Sequence, residues 1–235
     1  MTQPPRSPGQ QVQTHPIAAR ITHWLMALAI LVMIGSGWRI YNSSPIFGFS
    51  FPVSLTLGGN VEDALALHND PGVASAIAWH FAGMWLLLLS YLGFMLWNTI
   101  TGHFWRDFLP VGPVSFWRDF TAAARLKLDH RLGEYNAVQR VAYWGVLAAV
   151  AMMLLSGIAI WKPVQTYPLE TLFGGFQGAR IVHFVFMTAI ALFIVIHVAL
   201  VILVPKTFVA MTLGRATAHP HTASPHTASP QKEVA

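Results

Sequence analysis

ARIVHFVFMTAIALFIVIHVALVILV, residues 179–204, decides the fold of this chain. It has no charged side chain after Arg180, and its 26 residues exceed the roughly 20 that a helix needs to cross a bilayer core. Its two histidines, His183 and His197, stand fourteen residues apart. At about 1.5 Å and about 100° per residue they share nearly one face of the helix, about 21 Å apart along its axis. Ionisable side chains inside a span are costly, and the commonest reason for paired imidazoles there is ligation of a metal or haem.

Composition agrees with a membrane chain. Of 235 residues, 54% are hydrophobic and 10% charged, with a mean hydropathy of +0.52. A soluble domain carries roughly 25% charged residues. The absence of cysteine excludes iron–sulfur clusters, covalent CxxCH haem attachment, disulfides and thiolate metal sites together. The formal charge of +5 lies beside apolar spans, where it reads as membrane topology and not as a nucleic-acid surface.

Three further runs, at about residues 17–41, 76–100 and 137–161, are long enough to span; with 179–204 they predict an all-α integral membrane four-helix bundle. Residues 1–16 are polar and Pro-rich, without the apolar core of a signal peptide, and read as a disordered N-terminus. Residues 216–235 repeat His-Thr-Ala-Ser-Pro and read as a disordered low-complexity tail, which leaves 17–215 as the membrane domain. Eleven Lys and Arg residues lie on the side of the termini, against three (Arg39, Lys162 and Arg180) on the other. The positive-inside rule then places both termini in the cytoplasm.

The connections have their own character. The outer one, 42–75, is too long for a turn and holds an apolar stretch at 45–57 and an acidic helical patch at 61–68. Together with 162–177 it is expected to form a docking surface. The inner one repeats Phe104-Trp105-Arg106-Asp107-Phe108 as Phe116-Trp117-Arg118-Asp119-Phe120, a pattern expected of an interfacial helix at the lipid headgroups.

Depth sorts the histidines. His23 lies about 9 Å below the inner surface along span one, and His197 about 10 Å from that side along span four. His80 lies about 6 Å and His183 about 5 Å below the outer surface. Four embedded imidazoles thus form two depth-matched pairs, as bis-imidazole ligation of two b haems requires. Taken singly, each also reads as an interfacial residue bonded to a carbonyl or headgroup. His15 and His103 at span edges, His68 and His130 in loops and the tail histidines read as solvated; His15 before Pro16 suits a helix start.

Small residues at Gly35, Gly37, Gly83 and Ser156-Gly157 let a porphyrin edge approach a helix, with plain helix packing as the alternative for each. Arg20 and Arg140 inside, and Arg39, Lys162 and Arg180 outside, are candidate partners of haem propionates, with snorkelling as the alternative.

These residues carry a family resemblance. Arg20-Ile21-Thr22-His23-Trp24, Trp79-His80-Phe81 and the spacing of His183 and His197 resemble the bacterial cytochrome b561 and nickel–iron hydrogenase b-type cytochrome family. Tyr135-Asn136-Ala137-Val138-Gln139-Arg140, Leu155-Ser156-Gly157, Trp161-Lys162-Pro163-Val164-Gln165 and Gly178-Ala179-Arg180 look more narrowly like its thiosulfate reductase cytochrome b subunit branch, and the resemblance covers roughly residues 15–215.

The resemblance implies a multi-pass subunit of the bacterial inner membrane, with two haem b groups on His23, His80, His183 and His197. Such a subunit exchanges electrons between the quinone pool and a periplasmic oxidoreductase, commonly a molybdopterin enzyme. A fifth span, frequent in hydrogenase-type members, is lacking, which disfavours a nickel–iron hydrogenase partner. Quinone is expected near the inner pair, where Arg20, Asn136 and Arg140 lie. An electron-transfer subunit is favoured over an independent enzyme. The rival with the same fold is a self-sufficient superoxide:quinone oxidoreductase; the rival of another class is a non-haem membrane scaffold.

Overall fold

The computed structural model of the chain describes residues 11–13, 16–58, 71–102, 117, 121 and 137–217. Its helices are α1 (Ile17–Ser43), α2 (Pro71–Ile100), α3 (Ala137–Trp161), α4 (Tyr167–Leu172), α5 (Gly175–Leu203) and α6 (Pro205–Leu213). Four of them, α1, α2, α3 and α5, are long and apolar enough to cross a membrane. Helix is the local solution because a span must satisfy its own backbone where no water can. Much of the apolar surface faces outward, including Leu31, Leu89, Leu96, Val195 and Leu203, as expected of a surface that meets lipid.

Two boundaries differ from the sequence reading. Helix α2 starts at Pro71, five residues before the apolar run, and α5 at Gly175, four residues before it. Hydropathy sees only the apolar part of each helix, while the backbone signals are a proline at the first position and the positive φ of Gly174 and Gly175, both +83°. At the other end of α5, Pro205 has no N–H to continue the ladder, so the chain breaks at Val204 and restarts as α6.

The helices pair as two hairpins. Close backbone packing runs within α1–α2 and within α3–α5, and hardly at all between the hairpins among the described residues. Gly83 permits the first crossing, since a Cβ there would meet Met33 Cγ at 2.8 Å. Between the hairpins, halfway along the bundle, lies a core of Ala29, Met33, Leu87, Ala149, Val150, Met153 and Ile190.

The hairpins repeat one another in sequence. At an offset of 120 residues α1 matches α3 at Arg20/Arg140, Trp24/Trp144, Ala29/Ala149, Met33/Met153, Ser36/Ser156, Gly37/Gly157 and Ile40/Ile160. At an offset of 103, α2 matches α5 at Ala76/Ala179, His80/His183, Phe81/Phe184, Met84/Met187 and Leu89/Leu192. The pairs Ala29/Ala149, Met33/Met153, Ser36/Ser156 and Ala76/Ala179 are buried in both copies. The match therefore follows the packing.

Two strands, β1 (Gln11–Gln13) and β2 (Arg215–Thr217), pair antiparallel and bring the segments before α1 and after α6 to one end of the bundle. The first lies within the segment 1–16 that the sequence reads as disordered, and nothing in the sequence signals the pairing. At the opposite end, the segment after α1 is not a free loop. Asn42 clamps the Phe51 backbone by two 2.9 Å hydrogen bonds, and the Leu57 N–H donates to the Gly35 carbonyl at 2.9 Å. Tyr41, Phe47, Phe49, Phe51 and Phe184 close into an aromatic cluster there. The acidic patch 61–68, the aromatic repeat apart from Trp117, Asn136 and the tail after Thr217 lie outside the described residues.

Candidate functional site

The two depth-matched histidine pairs are pairs in space. The rings of His80 on α2 and His183 on α5 have centres 6.3 Å apart and planes inclined at 59°. Those of His23 on α1 and His197 on α5 are also 6.3 Å apart, inclined at 56°. Both pairs reach from one hairpin to the other. Two imidazoles bound to opposite faces of one iron, each with its nitrogen about 2 Å from the metal and its ring centre about 1 Å further out, have centres about 6 Å apart. The spacing fits a bis-histidine iron at both levels.

Local structure explains how the outer pair is held. Ser36 Oγ lies 3.1 Å from His80 Nδ1, and Ser156 Oγ lies 3.0 Å from His183 Nδ1. A Cβ at Gly37 would stand 3.3 Å from His80 Cε1, and one at Gly157 the same distance from His183 Cε1. Of the small residues singled out in the sequence, Gly37 and Gly157 thus make room for the rings. Gly83 serves helix packing, and Gly35 receives Leu57 of the outer segment. On the inner pair, Phe193 stacks on His197 at 5.6 Å and Trp24 meets His23 edge-on at 5.2 Å.

Buried donors occur at both levels. Arg20 Nε, one turn from His23, and Trp38 Nε1, next to Gly37, are buried with no hydrogen-bond partner among the described residues. Such donors suit a carboxylate acceptor, which a haem propionate supplies. Arg39, only 5% exposed, follows Ser36 by three residues and so lies on the same face of α1.

The other candidate cations have distinct places. Arg20 also donates to the Thr212 carbonyl of α6, and Trp24 Nε1 to that of Met211 at 3.4 Å, so α6 folds under the inner pair. Arg140 opens α3 at the position matching Arg20. Arg180 donates to the Ser44 carbonyl and, at 3.0 Å, to Gln177 Oε1, tying α5 to the end of α1. Lys162 is exposed and lies over the Trp161 ring, 5.0 Å from its centre. His15, His68, His103, His130 and the tail histidines lie outside the described residues. Sequence reasoning missed Ser36, Trp38 and α6. The recurrence of Ser-Gly at 36–37 and 156–157 was the signal for the first.

The family model for prokaryotic cytochrome b561 matches residues 14–214. The chain belongs to this family. YedZ1 of Azospira oryzae, named as a candidate protein-methionine-sulfoxide reductase subunit, is 41% identical over 201 residues, covering 85% of this chain and 96% of the relative. The cytochrome b556(fdo) subunit of formate dehydrogenase from Escherichia coli K12 is 24% identical over 207 residues, covering 85% and 82%. A candidate Ni/Fe-hydrogenase B-type cytochrome subunit of Bradyrhizobium diazoefficiens is 24% identical over 204 residues, covering 80% and 76%. With four helices among its described residues long and apolar enough to cross a membrane, this cytochrome b561 is a multi-pass membrane electron-transfer protein of b type, and its family implies haem b.

Proposed function

We propose that this cytochrome carries two haem b groups, the inner one on His23 and His197 and the outer one on His80 and His183. In this reading it transfers electrons between the quinone pool and an oxidoreductase docked on the periplasmic side of the inner membrane. The observation behind it is the common 6.3 Å ring spacing at two depths, each pair joining the two hairpins. When bound, each haem would supply a one-electron couple, and its two histidines would leave no iron site for oxygen or substrate. Arg39 near the outer pair and Arg20 near the inner pair would hold propionates, with Trp38 Nε1 as a further donor; Arg180, Arg140 and Lys162 are more remote candidates.

The excess of Lys and Arg, eleven against three, supports cytoplasmic termini and hence a periplasmic outer pair. The relatives named as reductase, dehydrogenase and hydrogenase subunits support a separate partner, of molybdopterin type in our reading. A reductase partner consumes electrons, so the name of the 41% identical relative favours flow from quinol outward. An electron path needs two ends. If the outer haem serves the partner, quinone meets the inner one from within the bilayer.

Pyridine haemochrome assay of the purified chain tests the reading. Two non-covalent haem b per chain are expected, and one or none overturns it. Rapid quinone reduction by the isolated chain with superoxide, without a partner, would favour the self-sufficient enzyme instead.

A further inference from the structure

The hydroxyls of Ser36 and Ser156 do more than fill space. Both serines are completely buried, and each hydroxyl has three neighbours: the histidine Nδ1 at 3.1 or 3.0 Å, the carbonyl four residues back, Val32 or Met152, at 2.7 Å, and the carbonyl three residues back, Met33 or Met153, at 3.3 Å. A carbonyl only accepts and a hydroxyl has one proton, so that proton goes to a carbonyl. Toward the ring the serine oxygen must then accept. Nδ1 of His80 and of His183 therefore carries the imidazole proton, and the lone pair is on Nε2, the nitrogen away from the serine.

The arrangement occurs twice, on α1 for a histidine of α2 and on α3 for a histidine of α5, with matching distances and a glycine beside each serine. It is therefore a device of the duplicated hairpin and not an accident of one contact.

We propose that Ser36 and Ser156 are positioning residues that present Nε2 of His80 and His183 to the outer iron and, by accepting from Nδ1–H, lower the potential of the outer haem. Accepting that proton makes the imidazole more basic, which favours oxidised over reduced iron. The inference rests on the two-haem reading above.

The test is an optical redox titration of the full-length, haem-loaded protein, with the low-spin bis-histidine EPR signal recorded alongside. Ser36→Ala and Ser156→Ala remove only the hydroxyls. Each variant should retain two haems and shift the reduced-to-oxidised ratio of one haem about threefold toward reduced. The double variant should shift it about tenfold, which is about 59 mV for a one-electron couple. The other haem serves as the internal control and should not move.

Two haems with both potentials unmoved overturns the inference and leaves the two-haem reading standing. Equal shifts of both haems, or loss of the outer haem from the single variants, also overturns it, because the serines then act on the bundle or on haem retention. Fewer than two haems in the unmodified chain overturns the underlying reading first.

Discussion

His80 and His183 are held so closely that small changes around them should be selective. A Cβ at Gly37, 3.3 Å from His80 Cε1, has to push the ring by a few tenths of an ångström. Overpacking of this kind costs about 1–3 kcal/mol. Gly37→Ala is expected to weaken retention of the outer haem by roughly tenfold or more and to spare the inner one, read as haem content after dilution through a desalting column. Replacing the ligands sharpens the contrast: His80→Ala should remove the outer haem alone, and His23→Ala the inner haem alone. Equal loss of both haems from either variant would mean that the pairing is wrong. At this scale the sequence was readable where residue type is rare in its setting. An imidazole inside an apolar helix stands out, and depth arithmetic pairs it. Ser36 does not stand out, because a serine in a span ordinarily bonds its own helix and its second contact is visible only in space. Trp38 was hidden for the same reason.

Among the elements, the four spans were legible because each must keep an apolar surface toward lipid along its whole length. The outer segment was not. Its apolar residues 45–57 read as a surface awaiting a partner, yet Phe47, Phe51 and Leu57 fold back on α1 and α5. Leu57 reaches the level of Gly35, well below the outer end of α1, and non-helical backbone at that depth is tolerated only against protein. The part left to meet a partner is the outward side of this cover. Asn42 is its main fastening, since it satisfies both the N–H and the carbonyl of Phe51. Asn42→Ala leaves both groups unpaired, at about 1–3 kcal/mol for each one that stays buried. The cover should loosen, and the reduced outer haem should react faster with ferricyanide in stopped-flow while the inner haem keeps its rate. An unchanged outer rate would show that the segment does not shield that haem.

Across the whole molecule, the duplication relates His80 to His183 across the gap between the hairpins, whereas His23 and His197 have no histidine counterpart, the matching positions being Tyr143 and Phe94. Each hairpin packs well within itself, and the gap between them is crossed by the central core, by His23–His197 and His80–His183, and at one end by Arg180–Ser44 and the aromatic cluster on Phe184. The sequence concealed this because the matched residues are scattered, one to five apart, and the two helix offsets, 120 and 103, differ with loop length, so no single shift aligns both helices. A cofactor gripped by both hairpins acts as a tie that the unfolded chain lacks. Binding only to the folded state adds about 2.7 kcal/mol when free ligand is 100 times its Kd. At about 2–4 °C per kcal/mol for a domain of this size, haem saturation should raise Tm by about 5–10 °C for each occupied site. His183→Ala and His197→Ala should each forfeit one such increment, and the double variant both, while far-UV circular dichroism still reports helix because the spans satisfy their own backbones. A double variant that melts at the temperature of the fully loaded protein would show that the hairpins hold together without the two ties.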